Sequence, residues 1–102
     1  MSKPDCILSS IKLHEKDNPI YSVQLEQHYN LRGAEVRNII RDLRRSGEPI
    51  ANSKDGYYYA RDINELKETL EDLRGRATSM LNTASLMEKR FNNNKELSLF
   101  KI

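Results

Sequence analysis

Residues 21–50 read YSVQLEQHYNLRGAEVRNIIRDLRRSGEPI, and two helices joined by a tight turn can be read from them. Val36, Ile39, Ile40 and Leu43 follow one another at spacings of three, one and three, which makes a single apolar stripe on a helix predicted from about Gly33 to Arg45. Ser46-Gly47 ends that helix. Upstream, Ser22 is a suitable N-cap for a short helix over Gln24–Tyr29 that buries Tyr29 and either Val23 or Leu25. Asn30-Leu31-Arg32-Gly33 separates the two helices, because Asn and Gly tolerate left-handed backbone angles. Ile20 and Tyr21 suit a very short strand.

Working outward, Asp5–Glu15 carries Ile7, Leu8, Ile11 and His14 at helical spacing, with Asp5 as the predicted cap after Pro4. Lys16-Asp17-Asn18-Pro19 reads as a loop. On the other side, Pro49–Ser53 and Tyr57–Ala60 are β-prone runs flanking Lys54-Asp55-Gly56, whose Asp-Gly pair signals a hairpin. Alternation sets Tyr57 and Tyr59 against Tyr58, and one of Tyr57 and Tyr59 is expected in the core. From Asp62 the period becomes that of a long helix. Ile63, Leu66, Leu70, Leu73, Ala77, Met80, Ala84, Met87 and Phe91 are spaced alternately by three and four, an unbroken heptad seam. Asn92-Asn93-Asn94 is expected to stop it, leaving Lys95–Ile102 as a tail with apolar Leu97, Leu99, Phe100 and Ile102. The predicted class is mainly α with a small β-hairpin (α+β). Its three parts are a helix-turn-helix with a hairpin wing over 1–61, a long heptad helix over 62–91 and a tail over 92–102.

Composition narrows the function classes. At 102 residues, 37% hydrophobic and 31% charged, the chain supports one modest core and a solvated surface. It has no apolar run of membrane-spanning length, and its N-terminus, Met1-Ser2-Lys3-Pro4-Asp5, lacks the apolar region of a secretory signal. The lone Cys6 fits a reducing, cytoplasmic setting and a small core side chain rather than a nucleophile. His14, His28 and Cys6 lack metal-ligand spacing, and no phosphate loop, nucleophile elbow or catalytic carboxylate pair is present. An enzyme, a metal or a cofactor is therefore not expected. Net charge is only +2, but residues 31–61 hold seven basic residues (Arg32, Arg37, Arg41, Arg44, Arg45, Lys54, Arg61) against four acidic ones (Glu35, Asp42, Glu48, Asp55). Residues 62–102 hold seven of each, so the positive excess is local to the middle of the chain.

With its apolar stripe turned to the core, the helix over 33–45 presents Ala34, Arg37, Asn38 and Arg41, with Arg44 and Arg45 at its end and Arg32 before it. Arg pairs bidentately with guanine, Asn with adenine, and a helix fits the major groove, so this face carries the residue types of direct base readout. Lys54, at the hairpin tip, suits a phosphate or the minor groove. The candidate partner is double-stranded DNA, through Arg32, Ala34, Arg37, Asn38, Arg41, Arg44, Arg45 and Lys54.

The stretch 21–50 resembles the N-terminal DNA-binding domain of the biotin repressor family at Leu25, Leu31, Val36, Ile40, Leu43, Arg44, Gly47 and Ile50. The following SKDGYYYA, residues 53–60, is similar to that family's wing, where a Gly-Tyr pair opens the returning strand. The resemblance covers residues 5–61 and implies a winged helix-turn-helix with its recognition helix at 33–45 and its wing near 53–57. It carries over none of the family's biotin-ligating catalysis. Gly33 departs from the pattern, which more often has a polar or basic residue there. The module followed by a long helix is also similar to small phage or prophage regulators.

Two functions from different classes follow. One is a sequence-specific DNA-binding protein, homodimeric through its coiled coil, acting in transcription regulation or as a phage-type replication or excision factor. The other is a winged-helix adaptor whose long helix binds a heterologous protein. The heptad seam favours the homodimer, since 29 residues span roughly 43 Å at 1.5 Å per residue, too long to be covered by one small domain. Basic flanking residues Lys67, Arg74, Arg76 and Arg90 disfavour parallel pairing, whereas an antiparallel pair brings Glu65 and Glu68 near Lys89 and Arg90.

Overall fold

The computed structural model describes residues 2–54 and 56–100, with side chains through Asn94. It is mainly α with a small antiparallel sheet: α1 (Lys3–Lys12), β1 (Ile20–Tyr21), α2 (Ser22–Tyr29), α3 (Gly33–Arg45), β2 (Ile50–Ser53), β3 (Gly56–Tyr59) and α4 (Ile63–Phe100). Residues through Thr69 form one compact unit and those from Leu70 a second. The first unit thus takes in the opening turns of α4, beyond the boundary expected at residue 61.

Each helix start follows local chemistry, with three corrections to the sequence reading. The cap of α1 is Ser2, whose Oγ accepts from the Asp5 N–H at 3.3 Å, and Asp5 sits in the first turn. Ser22 is the first residue of α2 rather than its cap; Tyr21 precedes the helix, and its N–H donates to Gln24 Oε1 at 2.8 Å. Of the α2 candidates, Leu25 is fully buried, while Val23 is 57% exposed. In the α2–α3 turn the left-handed residue is Asn30 (φ 53°), and the Leu31 N–H closes back on Glu26 O at 2.9 Å. Gly33 is instead the first residue of α3. Gly47, at φ 102°, ends α3 and lets the Glu48 N–H reach Leu43 O at 3.1 Å.

The stripes predicted from spacing form the core. Ile7 and Ile11 of α1, Leu25 of α2, Leu31 of the α2–α3 turn, Val36 and Ile40 of α3, and Ile50 of β2 make one cluster, with Ile39 and Leu43 packed at its margin. Tyr29 joins α2 to α1: its hydroxyl donates to Cys6 O at 3.1 Å and lies 2.5 Å from Ser10 Oγ.

The strands pair antiparallel in the order β1-β3-β2, with Ile50 opposite Tyr59, Ala51 opposite Tyr58 and Ile20 opposite Tyr57. The alternation of the tyrosines is as expected, with Tyr57 and Tyr59 toward the main core, but the opposite side of the sheet is covered as well. Tyr58 is buried, in a second cluster with Ala51, Ala60 and Leu66, while Tyr57 and Tyr59 are half-buried beside the main core. The reason is the opening of α4, which gives the sheet a second covered face. Tyr58 donates its hydroxyl to Glu65 O at 3.0 Å on that helix.

The outer edge of β2 is closed by side chains. The Tyr59 N–H goes to His14 O at 3.3 Å, so at the Ile50–Tyr59 position the Ile50 carbonyl points out of the sheet. Arg44 Nε donates to that carbonyl at 2.9 Å, and the Asn52 N–H donates to Thr69 Oγ1 at 3.0 Å. Arg44 from α3 and Thr69 from α4 thereby occupy backbone groups that an exposed edge strand would offer to another chain.

The asparagines do not end α4, which runs through Asn92–Asn94 to Phe100. Asn lowers helix propensity by only about 0.7 kcal/mol relative to Ala, and none of the three meets a Gly or Pro stop. The side chains of Leu97, Leu99 and Phe100, the whole of Ile102, and Asp55 in the hairpin turn lie outside the described residues. Among the described residues, no helix is long and apolar enough to cross a membrane.

Candidate nucleic-acid interface

Burying Val36 and Ile40 on one side of α3 forces the opposite side outward. Ala34, Arg37, Asn38, Arg41 and Arg45 are all exposed there, as is Arg32 at the N-cap. Arg32 is oriented through its backbone, whose N–H donates to Glu35 Oε1 at 3.1 Å. Arg41 makes a surface ion pair with Asp42 at 3.3 Å, of the exposed kind worth little to stability.

The fold brings two of the predicted contacts together. A cleft of about 190 Å³ is lined by Ser22 at the start of α2, Arg37 of α3, Asn52 and Tyr57 of the hairpin strands, and Lys54 at the hairpin tip. Lys54 takes a left-handed conformation (φ 53°), so the turn is made by Lys54 while Gly56 already pairs within β3. Among the described residues neither Arg37 nor Lys54 has an ion-pair partner. Two cationic side chains from separate elements therefore converge on one polar recess, with a hydroxyl and an amide beside them. The arrangement suits the acceptor atoms of a nucleic acid, a backbone phosphate beside Lys54 or a guanine edge beside Arg37.

The opening of α3 is also shaped for Arg37. A Cβ at Gly33 would stand 3.3 Å from Arg37 Nη1 and 3.6 Å from Glu26 Oε1. The glycine that looked anomalous in the sequence leaves room for these two side chains at the helix start. Glu26 is itself held by the Ser22 hydroxyl at 3.1 Å.

Arg44 belongs to a different category from the other predicted contacts. Its Nε and a terminal nitrogen are taken up by Ile50 O and Asn52 Oδ1, and its guanidinium lies 6.0 Å from the centre of the Tyr57 ring. It joins α3 to the hairpin and is half-buried. Ser22, Asn52 and Tyr57 are the cleft residues that the sequence did not single out. Nothing in their spacing marks them, since only folding brings positions 22, 37, 52, 54 and 57 to one place.

The seam residues divide between the two units. Leu66 packs against Tyr58 and its neighbours, and Leu70 is half-buried. Ile63, Leu73, Ala77, Met80, Ala84, Met87 and Phe91 are exposed. Tyr58 and Tyr59, whose titration is raised, lie outside the cleft. Burial, then the charges of Glu65 and Glu68, raises Tyr58; a hydrogen bond to Glu48 and then burial raise Tyr59. No protein-family model matches the chain, nor does any curated protein or solved structure.

Proposed function

We propose that this chain binds double-stranded DNA as a winged helix-turn-helix, with α3 in the major groove and the β2–β3 hairpin as the wing. The observation that carries this reading is the polar cleft in which Arg37 of α3 meets Lys54 of the hairpin tip, beside an open helix face. α3 has 13 residues, about 20 Å of helix, and a helix of ordinary diameter enters a major groove about 12 Å wide. In that pose Arg37 and Asn38 reach base edges, Ala34 meets a thymine methyl, and Arg32, Arg41, Arg45 and Lys54 lie along phosphates. The reading extends to a sequence-specific regulator of transcription, or a phage-type replication or excision factor, acting in the cytoplasm.

Selection from random duplexes yields the site, and fluorescence anisotropy against salt then tests the assignment. Arg37→Ala and Asn38→Ala are expected to lose about 1–3 kcal/mol on the selected site and to relax its specificity. Lys54→Ala is expected to weaken all duplexes alike and flatten the salt dependence by about one phosphate contact. Unchanged affinity in all three variants would refute the DNA reading and make the α3 face a protein-docking surface.

A further inference from the structure

Beyond duplex binding, the second unit carries an apolar face whose geometry selects its own occupant. Within α4, Met80, Thr83, Ala84 and Met87 line one groove, and Arg76 and Ser79 extend it. The positions i, i+3, i+4 and i+7 are the four corners of a hole that accepts a side chain from a facing helix in knobs-into-holes packing. Met80, Met87 and Phe91 are 71%, 68% and 68% exposed, and Leu81, just off the seam, is 69% exposed.

The sizes of the seam residues decide orientation and register. Small and large residues alternate from Ala77 through Met80 and Ala84 to Met87. In a parallel, in-register pair, Ala would face Ala and Met would face Met, so thin and thick layers would alternate along a rigid helix pair. Antiparallel pairing sets each small residue against a large one, which fills every layer evenly. The register centred on Asn82 accomplishes this in its four inner layers, with a large pair closing each end. Leu73 faces Phe91 of the second copy, Ala77 faces Met87, and Met80 faces Ala84, entering the hole described above. The flanks of this register contain attraction and repulsion. Arg74 lies near Glu88 of the second copy, twice by symmetry, and Leu81 meets Leu81 at the centre. Arg76 lies near Arg90, but Arg76 already has Asp72 as a counter-ion at 2.5 Å. Glu65 and Glu68, expected from sequence to join the pairing, lie in the first unit with the turns of α4 that pack on the sheet.

We infer that residues Leu73–Phe91 pair antiparallel with the same segment of a second copy of this chain, in the register that sets Ala77 against Met87 and Met80 against Ala84. Sedimentation equilibrium of the full chain at micromolar concentrations tests the pairing without any DNA, so its failure is distinct from failure of the duplex reading. A dimer is expected, and Met80→Asp with Met87→Asp is expected to abolish it. Both side chains are exposed, so far-ultraviolet circular dichroism of the variant at low concentration is expected to match the dilute wild-type chain. Spin labels test the register in a Cys6→Ser background, with Asn82→Cys and Lys89→Cys measured separately. The interlabel distance is expected to be shorter at 82 than at 89, where the antiparallel register adds an axial offset of about 21 Å. A monomeric wild-type chain, a dimer that survives the double substitution, or equal distances at the two sites would each overturn the inference.

Discussion

Arg37 and Arg44 lie two turns apart on nearly the same stripe of α3, and the structure gives them opposite roles that one pair of variants separates. Arg44→Met keeps the aliphatic stem and removes the guanidinium. Two hydrogen bonds from a charged donor disappear, one to Ile50 O at 2.9 Å and one to Asn52 Oδ1. The Ile50 carbonyl has no ladder partner to fall back on, because the facing N–H of Tyr59 is committed to His14. Hydrogen bonds to charged groups contribute about 1.5–3 kcal/mol each. Arg44 is only half-buried, so water replaces part of that contribution, and the expected loss for the pair is about 2–3 kcal/mol. For a folded unit of this size that corresponds to a fall in Tm of about 10–20 °C. Arg37→Ala removes an exposed side chain that has no ion pair among the described residues, so stability is expected to change by at most about 0.5 kcal/mol. Duplex affinity is expected to show the reverse pattern. Arg37→Ala loses about 5- to 150-fold, while Arg44→Met, measured well below its Tm, changes by about twofold or less. Differential scanning calorimetry and anisotropy on the same preparations read both quantities. If Arg44→Met holds its Tm within about 2 °C and loses tenfold in affinity, its guanidinium is a DNA ligand and the edge-closing role assigned to it is wrong.

Two further outcomes follow from the sheet. A Cβ at Gly56 would meet Pro19 Cβ at 3.1 Å, Ile20 O at 3.2 Å and Ser53 O at 3.3 Å, so Gly56→Ala is expected to destabilise by about 1–3 kcal/mol, read as a lower denaturant midpoint. Tyr58 and Tyr59 have raised pKa values, Tyr58 first through burial and Tyr59 first through its bond to Glu48, so the folded chain keeps protons that the unfolded chain releases near pH 10. The stability that these two groups contribute is therefore fully present below pH 10 and is lost as pH rises through the folded-state values. Tyr58→Phe is expected to flatten that decline, and an unchanged alkaline slope in denaturant titrations would count against it.

Local pattern was enough wherever one residue type answers one backbone demand. The stripe of Val36, Ile39, Ile40 and Leu43 specified α3 to its end residues, because a helix with one covered side needs that period and little else. Ile7 and Ile11 marked the buried side of α1 for the same reason, and the turn residues between Ser53 and Gly56 marked a hairpin. The exposed basic side of α3 was legible as the complement of its stripe. Tertiary structure decided the rest. That Tyr58 is buried as well depended on α4 covering the far face of the sheet, a packing event that alternation alone does not encode. Arg44 and Arg37 are the same residue seven positions apart. They differ because the outward carbonyl of β2 lies beside one and the open cleft beside the other. Nor does spacing indicate that Ser22, Arg37, Asn52, Lys54 and Tyr57 line one recess. That recess exists because α2, α3 and the hairpin share a core, and burying apolar surface, which has no direction of its own, fixes where the polar groups around it converge.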